Sequence, residues 1–176
     1  NAYTYAPTAT SALVAPLMTK VSVYIMLRMM ISVFGLDYSY YVIKFQSVII
    51  YLAVAAIVVG SVYALAQTRL KKLLTYFIIA EIGYMVGGAW LGNKAGLTGA
   101  IYHIAADALM TVSLFMIIGA IIYKTKSKTF TAMSGVFRKM PFTLVAFLVT
   151  AFSMIGVPPT CGFFGKWYLI SGAYQA

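Results

Sequence analysis

Acidic residues are almost missing from this chain: three Asp and Glu stand against thirteen Lys and Arg, and charged residues make up only 9% of the 176. Soluble domains carry about 25% charged and about 45–50% apolar residues. Here 62% are hydrophobic and the mean hydropathy is +0.92, which excludes a water-soluble fold. Cysteine is equally scarce. The single Cys161 allows no internal disulfide and no metal-ligand spacing, so it reads as a small packing residue. One histidine with no cysteine beside it argues against zinc. Asn1–Pro7 has neither a basic stretch nor a cleavage-site pattern, and the chain runs from Asn1 to an apolar stretch ending at Ala176. The expectation is a piece of a longer protein, cut at both ends.

Long apolar runs are what the chain does have. They cover about 8–34, 42–66, 73–91, 95–123 and 142–174, each reaching the ~20 residues that a helix needs to cross the hydrocarbon. They lack the alternation of barrel strands. The predicted fold is therefore all-α, a polytopic transmembrane helix bundle forming a single domain. The net charge of +10 resides mostly in two short loops. One carries Arg69, Lys71 and Lys72; the other carries Lys124, Lys126, Lys128, Arg138 and Lys139. Both fall on one face of a five-helix run, and Arg28, Asp37, Lys44 and Lys94 fall on the other. The positive-inside rule places loops 67–72 and 124–141 in the cytoplasm. The charge is thus topological, and no nucleic-acid partner is expected.

The fifth run is too long for one straight span, and Gly156-Val157-Pro158-Pro159 lies near its middle. Consecutive prolines remove backbone donors and push the preceding residue out of helix. Two half-helices joined by a break near 156–160 are predicted. In transporters such breaks mark ion sites; a kink that only shapes packing is the plainer alternative.

Five ionisable residues sit deep inside these runs: Lys20, Glu81, His103, Asp107 and Lys166. A charge at mid-bilayer costs roughly 2.5 to more than 10 kcal/mol, so such residues usually pair or carry ions. Lys20 sits about a dozen residues into the first run, too deep to snorkel. His103, Asp107 and Thr111 recur at i, i+4 and i+8, one polar stripe on the fourth helix. A histidine beside a carboxylate can relay a proton through its ring nitrogens. Lys166 follows the break, within Gly162-Phe163-Phe164-Gly165-Lys166. A proton pathway through Lys20, His103, Asp107 and Lys166 is predicted, with Glu81 and Thr111 secondary and Gly156, Pro158 and Pro159 as the helix break. No catalytic, cofactor-binding or metal-binding residue is assigned.

The stretches Ala6-Pro7-Thr8-Ala9-Thr10-Ser11, Ala66-Gln67-Thr68-Arg69-Leu70-Lys71-Lys72-Leu73-Leu74-Thr75-Tyr76, Glu81-Ile82-Gly83-Tyr84 and Pro158-Pro159-Thr160-Cys161-Gly162-Phe163-Phe164-Gly165-Lys166 add a family signal. Along nearly its whole length the chain resembles the antiporter-like subunits of respiratory complex I, membrane-bound hydrogenases and Mrp-type Na+/H+ antiporters. The resemblance implies an inverted-repeat fold with a discontinuous helix, of which this chain is about the eighth to twelfth helices. It places Lys20 at the bridging lysine of the eighth helix and Lys166 at the lysine of the broken twelfth. His103 and Asp107 fall on the central axis of the eleventh helix, where many members have two histidines, and Thr111 falls where several have lysine. Either Asp107 replaces the missing base or the relay is tuned or impaired. The family's glutamate and lysine of the fifth and seventh helices have no counterpart here.

The function implied is proton translocation as one subunit of a multi-subunit complex in a prokaryotic plasma membrane or an organellar inner membrane. The first alternative is Na+/H+ antiport, with Asp107 and Glu81 as oxygen ligands. The second is a structural membrane subunit whose buried charges only lock packing. Any NADH:quinone oxidoreductase or hydrogenase activity would belong to the whole complex, and no cofactor is expected on this chain.

Overall fold

Backbone in a hydrocarbon environment has no water to bond to, so an uninterrupted apolar run satisfies its amides within itself as a helix. A computed structural model describes residues 8–42, 45–133 and 135–176. Lys44 and the Ala6-Pro7 start of the first family-like stretch lie outside the described residues. Helix α1 covers Thr8–Arg28 and widens into a π-helical turn over Met29–Val33; a second such turn covers Tyr38–Val42. Helices α2 (Gln46–Leu65), α3 (Leu70–Trp90) and α4 (Lys94–Thr125) follow. The short α5 (Val136–Lys139) leads into α6 (Pro141–Ile155) and α7 (Cys161–Gln175). Four stretches are long and apolar enough to cross a membrane: Ala12–Val33, Gln46–Leu65, Leu70–Trp90 and Lys94–Thr125. With 15 residues each, α6 and α7 are too short to cross alone and form two halves of one broken crossing.

Some boundaries differ from those expected of composition. Helix α3 begins at Leu70, so Lys71 and Lys72 belong to its first turn and not to the preceding loop. Leu70 and Leu74, at i and i+4, are both buried, and the Leu70 amide donates to the Lys128 carbonyl at 3.0 Å. Helix α2 starts at Gln46 and not near 42, because the preceding segment is wound more widely and tied to the end of α3. There the Tyr40 hydroxyl donates to the Ala89 carbonyl at 2.8 Å, and the Gln46 amide to the Trp90 carbonyl at 2.9 Å.

The fourth helix is the hub. It packs against α1, α3, α6 and α7, whereas α2 leans chiefly on α3 and leaves Tyr51, Leu52, Val58 and Val62 exposed. Without a hydrophobic force between helices in lipid, close contact depends on small residues that let backbones approach. A Cβ on Gly99 would lie 2.8 Å from the Leu169 amide nitrogen, and one on Gly172 would lie 2.7 Å from Gly96 Cα. Glycine is therefore required where α4 meets α7.

Two apolar clusters fill the bundle. One gathers Ala12 and Ala15 of α1, Leu70, Leu74 and Ile78 of α3, and Leu114, Phe115 and Ile118 of α4. The other gathers Leu27 and Met30, Ala89 and Trp90, and Ala100 from the opposite ends of the same helices. On α1 and α3, Lys20 and Glu81 fall between residues of the two clusters; on α4, His103 and Asp107 stand where one gives way to the other. The loops after α2 and α4 also meet, since the Phe130 amide donates to the Thr68 carbonyl at 3.2 Å. Both basic segments thus lie at one end of the bundle.

Candidate functional site

The layer between the two apolar clusters contains every ionisable residue singled out in the runs, drawn from α1, α3, α4 and α7, and resolves them into two groups. In the first, the Lys20 ammonium makes a direct ion pair with Asp107 Oδ2 and donates to Thr111 Oγ1 at 3.4 Å. The Thr111 hydroxyl donates to Asp107 Oδ1 at 2.8 Å. The Asp107 side chain is fully buried, and its Oδ2 has no hydrogen-bond partner beyond that ammonium contact. Helical spacing explains the local arrangement, because positions 107 and 111 stack on one face of α4. The partner on α1 completes it: a lone buried carboxylate is costly, and a close counter-ion with a second hydrogen bond offsets that cost.

In the second group Glu81 is the centre. Its Oε2 lies 2.5 Å from His103 Nε2 and its Oε1 lies 3.8 Å from Lys166 Nζ. Lys166 also donates to the Met154 carbonyl. That carbonyl belongs to the last turn of α6, where the helix leaves acceptors without amide partners and carries partial negative charge. The lysine thus closes the end of one half-helix from the next. Its ammonium lies 5.1 Å from the centroid of the Tyr84 ring, which makes a T-shaped pair with the His103 ring, 5.7 Å between centroids. The His103 Nδ1 atom is buried without a hydrogen-bond partner among the described residues. Gly165 packs against His103, where a Cβ would come within 3.2 Å of Nδ1.

The break that presents Lys166 is built locally. Gly156 has φ +90°, a conformation that glycine adopts without a Cβ penalty, and its amide bonds back to the Phe152 and Ser153 carbonyls. Pro158 and Pro159 cannot donate to a helix and lie exposed on the outside of the turn. Helix α7 then restarts at Cys161, with Gly162 pressed against Ser153 and its amide 3.4 Å from the Ser153 hydroxyl.

All six predicted polar positions therefore fall in one layer, but their pairing differs from the sequence-based order in two respects. Asp107, expected beyond His103, pairs directly with Lys20. Glu81, expected to act from the side, stands directly between His103 and Lys166. No hydrogen bond joins the two groups among the described residues; the link is α4 itself, on which His103 and Asp107 are one turn apart. Tyr84 and the Met154 carbonyl were not anticipated. Tyr84 could have been found, since it follows Glu81 by three residues and shares its helix face. A backbone carbonyl carries no sequence signal. Among the described residues, no group of three or more His, Cys, Asp or Glu is placed to hold a metal ion.

Sequence comparison ties the chain to known proteins. The family described as NADH:quinone oxidoreductase/Mrp antiporter, transmembrane, matches residues 1–176. The chain belongs to this family. Among its relatives, NADH-quinone oxidoreductase subunit N of Desulforudis audaxviator is 39% identical over 176 residues, covering 100% of this chain and 35% of that protein. A putative antiporter subunit, mnhD2, of Staphylococcus aureus is 33% identical over 99% of this chain and 34% of its own length. In three dimensions the chain resembles part of the Mrp complex from Dietzia sp., with a TM-score of 0.87 and 26% identity over 99% of this chain and 32% of that one. The chain spans about a third of the length of the relatives it matches. Family membership and the apolar helices make it an integral, multi-pass membrane protein.

Proposed function

We propose that this chain carries part of a lateral proton pathway in a subunit of a respiratory or Mrp-type membrane complex. The observation that carries the proposal is the buried layer: acids and bases from four helices, paired across α4 and framed by apolar clusters on both sides. Lys20 and Asp107 hold one exchangeable proton between them, with Thr111 orienting the carboxylate. His103, Glu81 and Lys166 form the next station. With Glu81 and Lys166 charged and His103 neutral, that station has no net charge, so a proton arriving on His103 leaves it with one excess positive charge. The added charge repels the Lys166 ammonium across Glu81 and favours loss of a proton there. Like charges in a dry interior interact strongly over such distances. Water is needed to join Asp107 to His103, in keeping with proton transfer through one or two bridging molecules. The segments 67–72 and 124–141 face the cytoplasm, and other membrane subunits complete the path.

Sodium/proton antiport is the second reading, and the name of one relative, a putative antiporter subunit, favours antiport without naming the cation. A hard cation takes several oxygen ligands. Here the two carboxylates occupy separate groups, and each already faces a basic side chain. The geometry therefore favours the proton. The test is transport by the complete complex in proteoliposomes, with and without Na+, for the parent and for Lys166→Met. Proton uptake independent of Na+ and abolished by Lys166→Met, with normal assembly, is expected. Na+-dependent uptake would support antiport, and intact uptake with lowered stability would point to purely structural charges.

A further inference from the structure

Helices α3 and α6 both pack on α4 but hardly touch each other, and they diverge around an open groove of about 200 Å³. Leu70, Phe77, Leu114, Phe147 and Ala151 are among its walls, and every lining side chain is hydrocarbon or thioether. A cleft with no polar group offers water nothing to bond to. Two of its lining residues, Leu70 and Phe130, adjoin the basic segments. The Leu70 amide is bonded to the Lys128 carbonyl, and Arg69 forms a single bridge with Thr129. Arg69 and Lys128 are exposed.

Among the described residues, this end of the bundle has no carboxylate to balance them. Of the chain's three acidic residues, Glu81 and Asp107 are committed to the buried layer, and Asp37 lies between α1 and α2 at the other end. The combination of a cationic rim and a wholly apolar cleft matches one kind of molecule, an anionic amphiphile entering from the leaflet on the basic side. We propose that the groove between α3 and α6 is a binding site for an anionic phospholipid. One acyl chain lies along Leu70, Phe77 and Phe147, and the phosphate rests against Arg69 and Lys128. A zwitterionic lipid could fill the cleft equally well but would gain less from the rim. A neutral apolar helix would leave the rim without a counter-charge.

The experiment uses the complete subunit purified within its complex. The complex is exchanged through detergent containing equal phosphatidylglycerol and phosphatidylcholine, and the retained lipid is measured by mass spectrometry. Two basic side chains near a membrane surface correspond to roughly a tenfold or larger preference for the anionic lipid. The parent is expected to retain phosphatidylglycerol by that margin. The double variant Arg69→Gln/Lys128→Gln is expected to lose the preference, and Ala151→Phe, which fills the cleft, to lose the retained lipid itself. Ala151→Leu is the milder filling variant if the larger ring prevents assembly. Equal retention of both lipids by the parent would overturn the proposal, as would retention unchanged by filling the cleft, the result expected if another helix occupies it. None of these residues belongs to the buried ionisable layer, so a failure here is distinct from a failure of the proton pathway.

Discussion

Replacing Glu81 by glutamine tests the central arrangement most directly, because the amide preserves shape while removing the charge and one of the two acceptor oxygens. Glu81 Oε1 lies 3.8 Å from the Lys166 ammonium. At an effective dielectric of about 20, unit charges at this separation attract by about 4 kcal/mol. Part of that is not lost, since Lys166 keeps the Met154 carbonyl and 19% of its side-chain surface remains exposed. A net loss of about 2–4 kcal/mol is left, on the order of a thirtyfold to thousandfold weaker hold on the ammonium at this position. The same change weakens the 2.5 Å contact to His103, because a neutral amide stabilises an imidazolium less than a carboxylate does. A proton delivered to His103 would then be held less well, and its arrival would no longer be transmitted through a shared anion. Proton uptake per turnover, followed by dye quenching in proteoliposomes of the complete complex, is expected to fall at least about tenfold while subunit content stays normal. Glu81→Asp, which retains the charge but shortens the reach, is expected to fall between the two. Near-normal uptake by Glu81→Gln in a fully assembled complex would refute the placing of Glu81 in the path.

Asp107→Asn leaves the Lys20 ammonium buried with only neutral partners, so a destabilisation of about 3–5 kcal/mol is expected as a lower midpoint of thermal unfolding in detergent. The paired change Lys20→Met/Asp107→Leu should recover most of it without restoring transport, because apolar replacement of a buried pair is often tolerated. Tyr84→Phe keeps the ring facing Lys166 and should transport like the parent. Tyr84→Ala removes about 0.5–2 kcal/mol of cation–π attraction and the edge contact to His103, and should lower uptake severalfold. Gly162→Ala would place a Cβ 1.8 Å from the Ser153 carbonyl oxygen, forcing the joint between α6 and α7 apart. It is expected to cost about 1–3 kcal/mol or more and to reduce the amount of assembled complex on a native gel.

Much of this site could be read from the sequence because lipid-like runs make a charge conspicuous. Lys20, Glu81, His103, Asp107 and Lys166 were identifiable one by one, since each interrupts a long apolar segment. The stripe of His103, Asp107 and Thr111 followed from a spacing of four, and the broken crossing followed from Gly156 and the two prolines.

What the amino-acid sequence determined alone, then, was the class of structure, the place of the break and the polar positions that the layer draws together. Those follow from local rules: apolar length, helical period and the covalent limits of proline. The tertiary structure decided who meets whom. Whether Lys20 would find Glu81 or Asp107, and whether Glu81 would stand aside or between His103 and Lys166, depends on how each helix is rotated about its axis and shifted along it. Those two freedoms are set by contacts such as Gly99 against Leu169 and Gly172 against Gly96, which bring together residues some seventy positions apart. The Met154 carbonyl shows the same limit most plainly, since every residue has a carbonyl and only the folded chain turns this one toward Lys166.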